Sequence, residues 1–144
     1  MKRKAFTLIE MLVVLAIIGM FMGISVPFAS GFGKGLRLKT AARAVSGVLR
    51  VARSNAVTLR RNHSVVFDAE ENKYWIEDGA GKIYEKKYSL SSSVKFDITG
   101  ADREITFLPD GAIDGQTRAI TLTDKQGGSR TILISRTTGN ITLE

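Results

Sequence analysis

One stretch near the start decides most of what this chain can become. From Ala5 to Gly33 the only charged side chain is Glu10, and nothing between Met11 and Ile24 is more polar than glycine. At a helical rise of about 1.5 Å per residue, the segment from Phe6 to Ser25 forms a helix of roughly 30 Å, the thickness of a bilayer hydrocarbon core. Lys2, Arg3 and Lys4 stand just before it. Such a basic flank stays on the cytoplasmic side and places everything after Pro27 across the membrane. A secretory signal peptide shares the basic start and ends in small residues, as Ala29-Ser30-Gly31 would offer. Its apolar region is shorter, about 7–15 residues, and it does not carry a carboxylate within its first turns. A carboxylate at that depth costs about 2.5–3.5 kcal/mol on insertion scales, so Glu10 reads as functional and in need of a cationic partner.

The rest of the composition narrows the chemistry. The 144 residues include no cysteine and one histidine, His63. Disulfide frameworks, thiolate metal cages, thiol nucleophiles and multi-histidine metal sites are therefore excluded. The net charge of +7 is unevenly placed. Three bases precede the apolar stretch, eight lie between Lys34 and Arg61 with no acid among them, and Asn62–Glu144 holds ten bases against thirteen acids. A basic N-terminal half thus joins a mildly acidic C-terminal half, and basicity alone does not mark a nucleic-acid domain.

The string Lys-Arg-Lys-Ala-Phe-Thr-Leu-Ile-Glu (Lys2 to Glu10), followed by the apolar helix with Pro27 near its end, resembles the class III signal of type IV pilins and type II secretion pseudopilins. The resemblance implies that a prepilin peptidase cuts between Ala5 and Phe6, that Phe6 becomes the N-methylated first residue, and that Glu10 becomes the fifth. The family usually has glycine before the cut, and Ala5 departs from that pattern. Cleavage would leave a positive amine about one helical turn from Glu10. Pairing with the amine of a neighbouring subunit would neutralise a buried charge and set the register between helices, as single buried polar groups do elsewhere. Gly19 and Gly23 form a small-xxx-small pair suited to close helix packing, and Pro27 is expected to kink or loosen the helix.

After the Gly-rich stretch from Gly31 to Gly35, which reads as flexible, Leu38, Ala41, Ala42, Val45, Val48, Leu49, Ala52, Ala56 and Leu59 recur at spacings of three and four. This predicts an amphipathic helix docked on a core. Lys39, Arg43, Arg50, Arg53, Arg60 and Arg61 fall on an adjacent stripe. Such a stripe is either a plain solvated face or a contact for acidic neighbouring subunits, anionic lipid headgroups or nucleic-acid phosphate. The glycines are no phosphate loop, since no strand precedes them and no Gly-Lys-Ser/Thr ending follows.

From His63 onward the apolar period shortens from 3.6 to 2. Strands are expected at 64–68, 73–77, 82–88, 94–98, 104–108, 119–123, 131–135 and 140–143, separated by turn residues. The fold expected is α+β: a long N-terminal hydrophobic then amphipathic helix packed on an antiparallel β-sandwich of seven or eight strands. The organisation expected is a leader at 1–5, a transmembrane or filament-core helix at 6–30, a basic amphipathic helix at 31–61 and a β-rich periplasmic domain at 62–144. The segments Ile105–Gly111 and Arg130–Ile141 resemble the domain shared by minor pseudopilin H of type II secretion and minor pilins of the fimbrial-T type.

That resemblance implies a minor pseudopilin of a type II secretion pseudopilus, or alternatively a minor type IV pilin acting in pilus assembly or DNA uptake. It implies a single-pass inner-membrane protein with its C-terminal domain in the periplasm. Its partners would be other major and minor pseudopilins or pilins, the prepilin peptidase, the inner-membrane assembly platform and the lipid bilayer. No cofactor and no catalysis are implied. His63 beside Ser64 is not a triad, because a triad requires convergence in space, and no calcium-loop spacing occurs. For nucleic acid, the DNA-binding relatives use a Gly-Arg-x-Arg motif after the last strands. Gly139-Asn140-Ile141-Thr142 here lacks both arginines, which leaves Lys125, Arg130 and Arg136 as a candidate patch.

Overall fold

The computed structural model describes residues 7–32, 34–98 and 100–144, with the side chains of 23–34 and of 101 outside the description. Ala5 and Phe6 therefore lie outside the described residues, as do the surroundings of Gly23 and the side chain of Pro27. The chain divides into two compact units, one ending at Lys34 and the other running from Gly35 to Glu144.

The first unit is α1 (Leu8–Phe32), one helix through Pro27. From Leu8 to Met22 every side chain is exposed within the unit, although nearly all are apolar. A helix that is apolar all round has no face suited to water and needs an apolar surrounding, a bilayer or other helices. Among the described residues no helix is long and apolar enough to cross a membrane. The described side chains of α1 end at Met22, about 22 Å of helical rise from Leu8.

The second unit opens with α2 (Lys34–Leu59), so the Gly-rich stretch read as flexible lies largely within the two helices. Seven of the nine apolar positions expected to dock are buried: Leu38, Ala42, Val45, Val48, Leu49, Ala52 and Ala56. Alanine at 42, 52 and 56 lets the helix backbone approach the sheets closely, while Val45 and Leu49 fill the space between turns. Ala41 is half-buried against the core, and Leu59 is exposed. The helix ends there, and Arg60 turns into the left-handed region at φ 50°, so the apolar period has no further turn to continue into.

Eight strands follow: β1 (His63–Asp68), β2 (Lys73–Asp78), β3 (Tyr88–Ser89), β4 (Val94–Asp97), β5 (Glu104–Phe107), β6 (Arg118–Asp124), β7 (Ser129–Ile134) and β8 (Ile141–Leu143). They form two antiparallel four-stranded sheets, β3-β2-β1-β5 and β4-β6-β7-β8. Alternate residues of each strand point inward, as the period of two demands. Val65, Phe67, Tyr74, Ile76, Ile105 and Phe107 from the first sheet share one core with Phe96, Ile120, Leu122, Ile132 and Ile134 from the second and with the buried face of α2. The aromatic rings stitch the sheets together, with Phe67 edge-on to Phe96 at 5.3 Å and Tyr74 edge-on to Phe96 at 5.9 Å between centroids. Such contacts add about 0.5–1.5 kcal/mol each beyond the area they bury.

Aspartates close several of these strands. Asp68 Oδ1 accepts the amides of Glu70 and Glu71, Asp78 Oδ1 those of Ala80 and Lys82, and Asp124 Oδ1 those of Gln126 and Gly128. Each carboxylate satisfies backbone donors that the turn removes from the ladder. The Lys82 amide, first among several causes, holds the Asp78 carboxyl below the ordinary range.

One expected strand is largely absent. Of residues 82–88, only Tyr88 joins a strand, with one isolated bridge between Glu77 and Ile83. Two lysines of this segment lie over aromatic rings, Lys87 4.1 Å from the Trp75 centroid and Lys86 5.2 Å from that of Tyr88, and Tyr88 Oη donates to Glu85 at 2.8 Å. Side-chain contacts of this kind hold the segment over the sheet without a second ladder.

Candidate functional site

The start of α1 is built from Thr7 and Glu10. The Glu10 amide donates to Thr7 Oγ1 at 3.3 Å, and the Thr7 amide donates to Glu10 Oε2 at 3.5 Å. This is a capping box, Thr-x-x-Glu, in which each side chain satisfies a backbone donor the helix leaves open. The spacing is visible in the sequence as Thr7-Leu8-Ile9-Glu10, and a reading of Glu10 only as a partner for an amine overlooks it. Both bonds are long and both residues are exposed. The carboxylate therefore sits beside the first backbone amides of the helix without being consumed by them. Gly19, farther along, has nothing within 4 Å of where a Cβ would stand.

On α2 the six bases expected to form a stripe separate into three groups. Lys39, Arg43 and Arg50 remain together on the exposed helix face. The ion pairs among the described residues are Lys73–Glu71 and Arg118–Asp102, so these three bases have none. Arg60 and Arg61 follow the end of the helix and leave the stripe. Arg53 turns inward. Its Nε donates to the Gly111 carbonyl at 3.0 Å and its Nη2 to the Thr138 carbonyl at 2.8 Å, joining α2 to the β5–β6 and β7–β8 connections. At the Thr138 connection Gly139 adopts φ 60°, and a Cβ there would collide with the Gly111 oxygen and with Arg53. No local pattern announces this clasp, because its partners lie 58 and 85 residues from Arg53 in sequence.

Catalytic geometry is not assembled. His63 is fully buried, with Nδ1 3.1 Å from the Arg61 carbonyl, a bond it makes only as donor, and its ring lies edge-on to Tyr84. Ser64 is on the opposite face of β1 and shares a 2.8 Å hydrogen bond with Thr106. Adjacent strand residues point apart, which separates the two. Among the described residues no group of histidine and carboxylate side chains could hold a metal ion. Lys125, Arg130 and Arg136 do not form one patch either: Lys125 sits in the β6–β7 turn and Arg136 beyond the far end of β7, about 20 Å from Arg130 at strand rise.

An amphipathic helix closing the core of two antiparallel sheets, behind an apolar N-terminal helix, defines the class as a type IV pilin-like subunit. Residues 41–138 match the family described as type II transport protein GspH, and residues 1–26 match the prokaryotic N-terminal methylation motif. The chain belongs to the GspH family, a minor pseudopilin or pilin subunit rather than an enzyme. Among solved structures it is similar to the type IV minor pilin FimU of Pseudomonas aeruginosa, at 25% identity and TM-score 0.65, covering 78% of this chain and 92% of that one. It shares its fold with the minor pseudopilin EpsH of the Vibrio cholerae type 2 secretion system, at 11% identity and TM-score 0.61, covering 75% and 96%. No curated protein sequence matches it.

Proposed function

We propose that the chain is a minor pseudopilin of a type II secretion pseudopilus. The observation that carries this reading is the match of residues 41–138 to a family described as a type II transport protein. In this reading a prepilin peptidase removes residues 1–5 between Ala5 and Phe6, and Phe6 is N-methylated. The apolar helix of residues 6–30 holds the subunit in the bacterial inner membrane, with residues 62–144 in the periplasm. The assembly platform then extracts it into a short filament with other major and minor pseudopilins.

Glu10 is the register residue of this scheme. Its exposed carboxylate lies beside the Thr7 amide, one residue from the amine that cleavage would create, so it can release its cap to a neighbour's amine. Gly19 and Gly23 permit close helix packing, and Pro27 marks the membrane exit. Lys39, Arg43 and Arg50, without an ion pair among the described residues, meet acidic faces of adjacent subunits.

A second reading, a minor pilin of a type IV pilus, is favoured by the higher identity to FimU than to EpsH. Deletion of the gene separates the two: secreted proteins retained in the periplasm support the pseudopilus, and lost pilus-dependent motility with intact secretion supports the pilus. Mass spectrometry of the mature N-terminus tests the shared pathway. Methyl-phenylalanine from Phe6 is the expected product, and an intact leader or a cut beyond Ser30 refutes it.

A further inference from the structure

The exposed face of α2 and the outer face of the first sheet carry opposite charge. At 3.6 residues per turn, Lys39, Arg43 and Arg50 fall within about 40° of one another, a single line along the helix. No acid occurs in α2, and the three bases have no ion pair among the described residues. Gly47 stands between Arg43 and Arg50 with nothing within 4 Å of where a Cβ would be, so the helix backbone is open to close approach there. On the sheet, Val65, Phe67, Tyr74 and Ile76 point into the core, and alternation turns Val66, Asp68, Trp75 and Glu77 outward. Val66 pairs in register with Trp75 of β2 and Glu104 of β5. A groove of about 390 Å³ opens at this place, with Val66 and Trp75 as its apolar part and Asp68, Glu70 and Glu104 against one base, Arg103, around it. Glu70 and Glu104 are exposed and have no ion pair among the described residues. Trp75 already receives a cation, the Lys87 ammonium 4.1 Å from its ring centroid.

We infer that this sheet face seats the basic line of α2 from a second copy of the chain, with Arg43 and Arg50 against the carboxylates of the groove and Gly47 over Val66 and Trp75. The spacings agree. Arg43 lies about 6 Å of helical rise from Lys39 and about 10.5 Å from Arg50, while Glu104 and Asp68 are diagonal neighbours about 7–8 Å apart. Long basic side chains span the difference, laying their stems on the apolar floor with their charges at its rim. A partly exposed tryptophan ringed by charge is also the kind of anchor on which interfaces concentrate their energy. Both halves of the match belong to this one chain, and both point away from the core that lies between them. They cannot meet within one molecule, so a second copy supplies the missing half. Each copy then uses a different surface on its two sides, a heterologous contact that repeats along a row of subunits. The inference rests on the proposed contact of these bases with an adjacent subunit and names its acidic side. Its test requires neither leader cleavage nor secretion, so its failure is separate from failure of the assembly reading.

The chain has no cysteine, so introduced cysteines report one contact each. Two differently tagged full-length chains, one with Gly47→Cys and the other with Val66→Cys, are mixed in detergent and treated with a short bis-maleimide. The expected product is the mixed dimer, with little product from either variant alone. Its yield should fall at about 1 M salt, where the screening length is about 3 Å. Glu70→Lys with Glu104→Lys on the Val66→Cys chain should lower it by roughly three- to tenfold, and Arg43→Glu with Arg50→Glu on the Gly47→Cys chain should restore it. Restoration by the second reversal is an outcome that a merely structural role for these side chains would not give. Urea unfolding followed by Trp75 establishes that each variant is folded. A folded pair that forms no mixed dimer overturns the inference and leaves the assembly reading standing. Gly47→Cys joining to itself shows a helix-on-helix contact and overturns it, as does a mixed dimer indifferent to salt and to both charge reversals.

Discussion

Gly139 offers the sharpest test of how the second unit is held together. Replacing it by alanine places a Cβ against the Gly111 oxygen, 2.9 Å from Arg53 Nε and 3.2 Å from Arg53 Cδ, on a backbone at φ 60°. The left-handed conformation alone costs an alanine about 1–2 kcal/mol, partly offset by about 0.4–1 kcal/mol from a stiffer unfolded chain. Relieving the collision requires the two connections to separate, which breaks the Arg53 bonds to Gly111 and Thr138. Hydrogen bonds to a charged group contribute about 1.5–3 kcal/mol each. The whole change is therefore about 3–8 kcal/mol, a large part of an ordinary domain's stability. Gly127 supplies the control, because it has φ 83° but open space around its missing Cβ. Gly127→Ala should cost about 1.6 kcal/mol or less, since only the backbone contribution remains. Urea unfolding of the full chain in detergent, followed by the single tryptophan Trp75 on β2, measures both. Equal losses for the two variants, within about 0.5 kcal/mol, would refute the clasp as the origin of the cost.

Other expectations are equally direct. Arg53→Gln, which removes both charge-assisted bonds, should lower stability by about 3–6 kcal/mol, measured by the same unfolding, whereas Arg50→Gln, exposed and without an ion pair among the described residues, should change it by less than about 0.5 kcal/mol. Leu49→Ala, at a fully buried position of α2, should cost about 2–5 kcal/mol in the same assay. Burial, its main cause, raises the folded pKa of Tyr74, so its contribution is complete below the unfolded value and is lost as pH rises through the folded one. Alkaline melting curves should therefore fall more steeply for the wild-type chain than for Tyr74→Phe, and parallel curves would remove Tyr74 as the cause. Glu10→Val should leave processing of the leader intact yet reduce incorporation into filaments, read as the ratio of filament-borne to membrane-borne subunit; an unchanged ratio would remove Glu10 from assembly.

Local signals in this sequence were faithful where one element settled the matter. The three-and-four spacing of α2 identified its buried face except at Leu59, where the helix stops. The alternation from His63 onward located the paired strands, and the exception, 82–88, has the right period but loses its ladder to lysine–aromatic contacts. The stripe of bases was less legible, since a helical wheel records angle and not what stands opposite. Arg53 lies on the wheel beside Arg50, yet one meets carbonyls from distant turns and the other meets solvent. Glu10 shows a different limit: Thr7-x-x-Glu10 is a local cap, and the carboxylate proposed to set the register between subunits is the same one that closes it.

The order of the sheets governs how such subunits can join. Strand addition needs a free, straight edge, and each edge here is short or blocked. β3 spans two residues and β8 three, β4 carries the exposed charges Lys95 and Asp97, and β5 is folded over by its own connection, where the Asp114 amide donates to the Thr106 carbonyl. Crowded copies of this domain thus have little means of polymerising through their backbones. Association between such domains falls to side chains and helix faces rather than to backbone ladders.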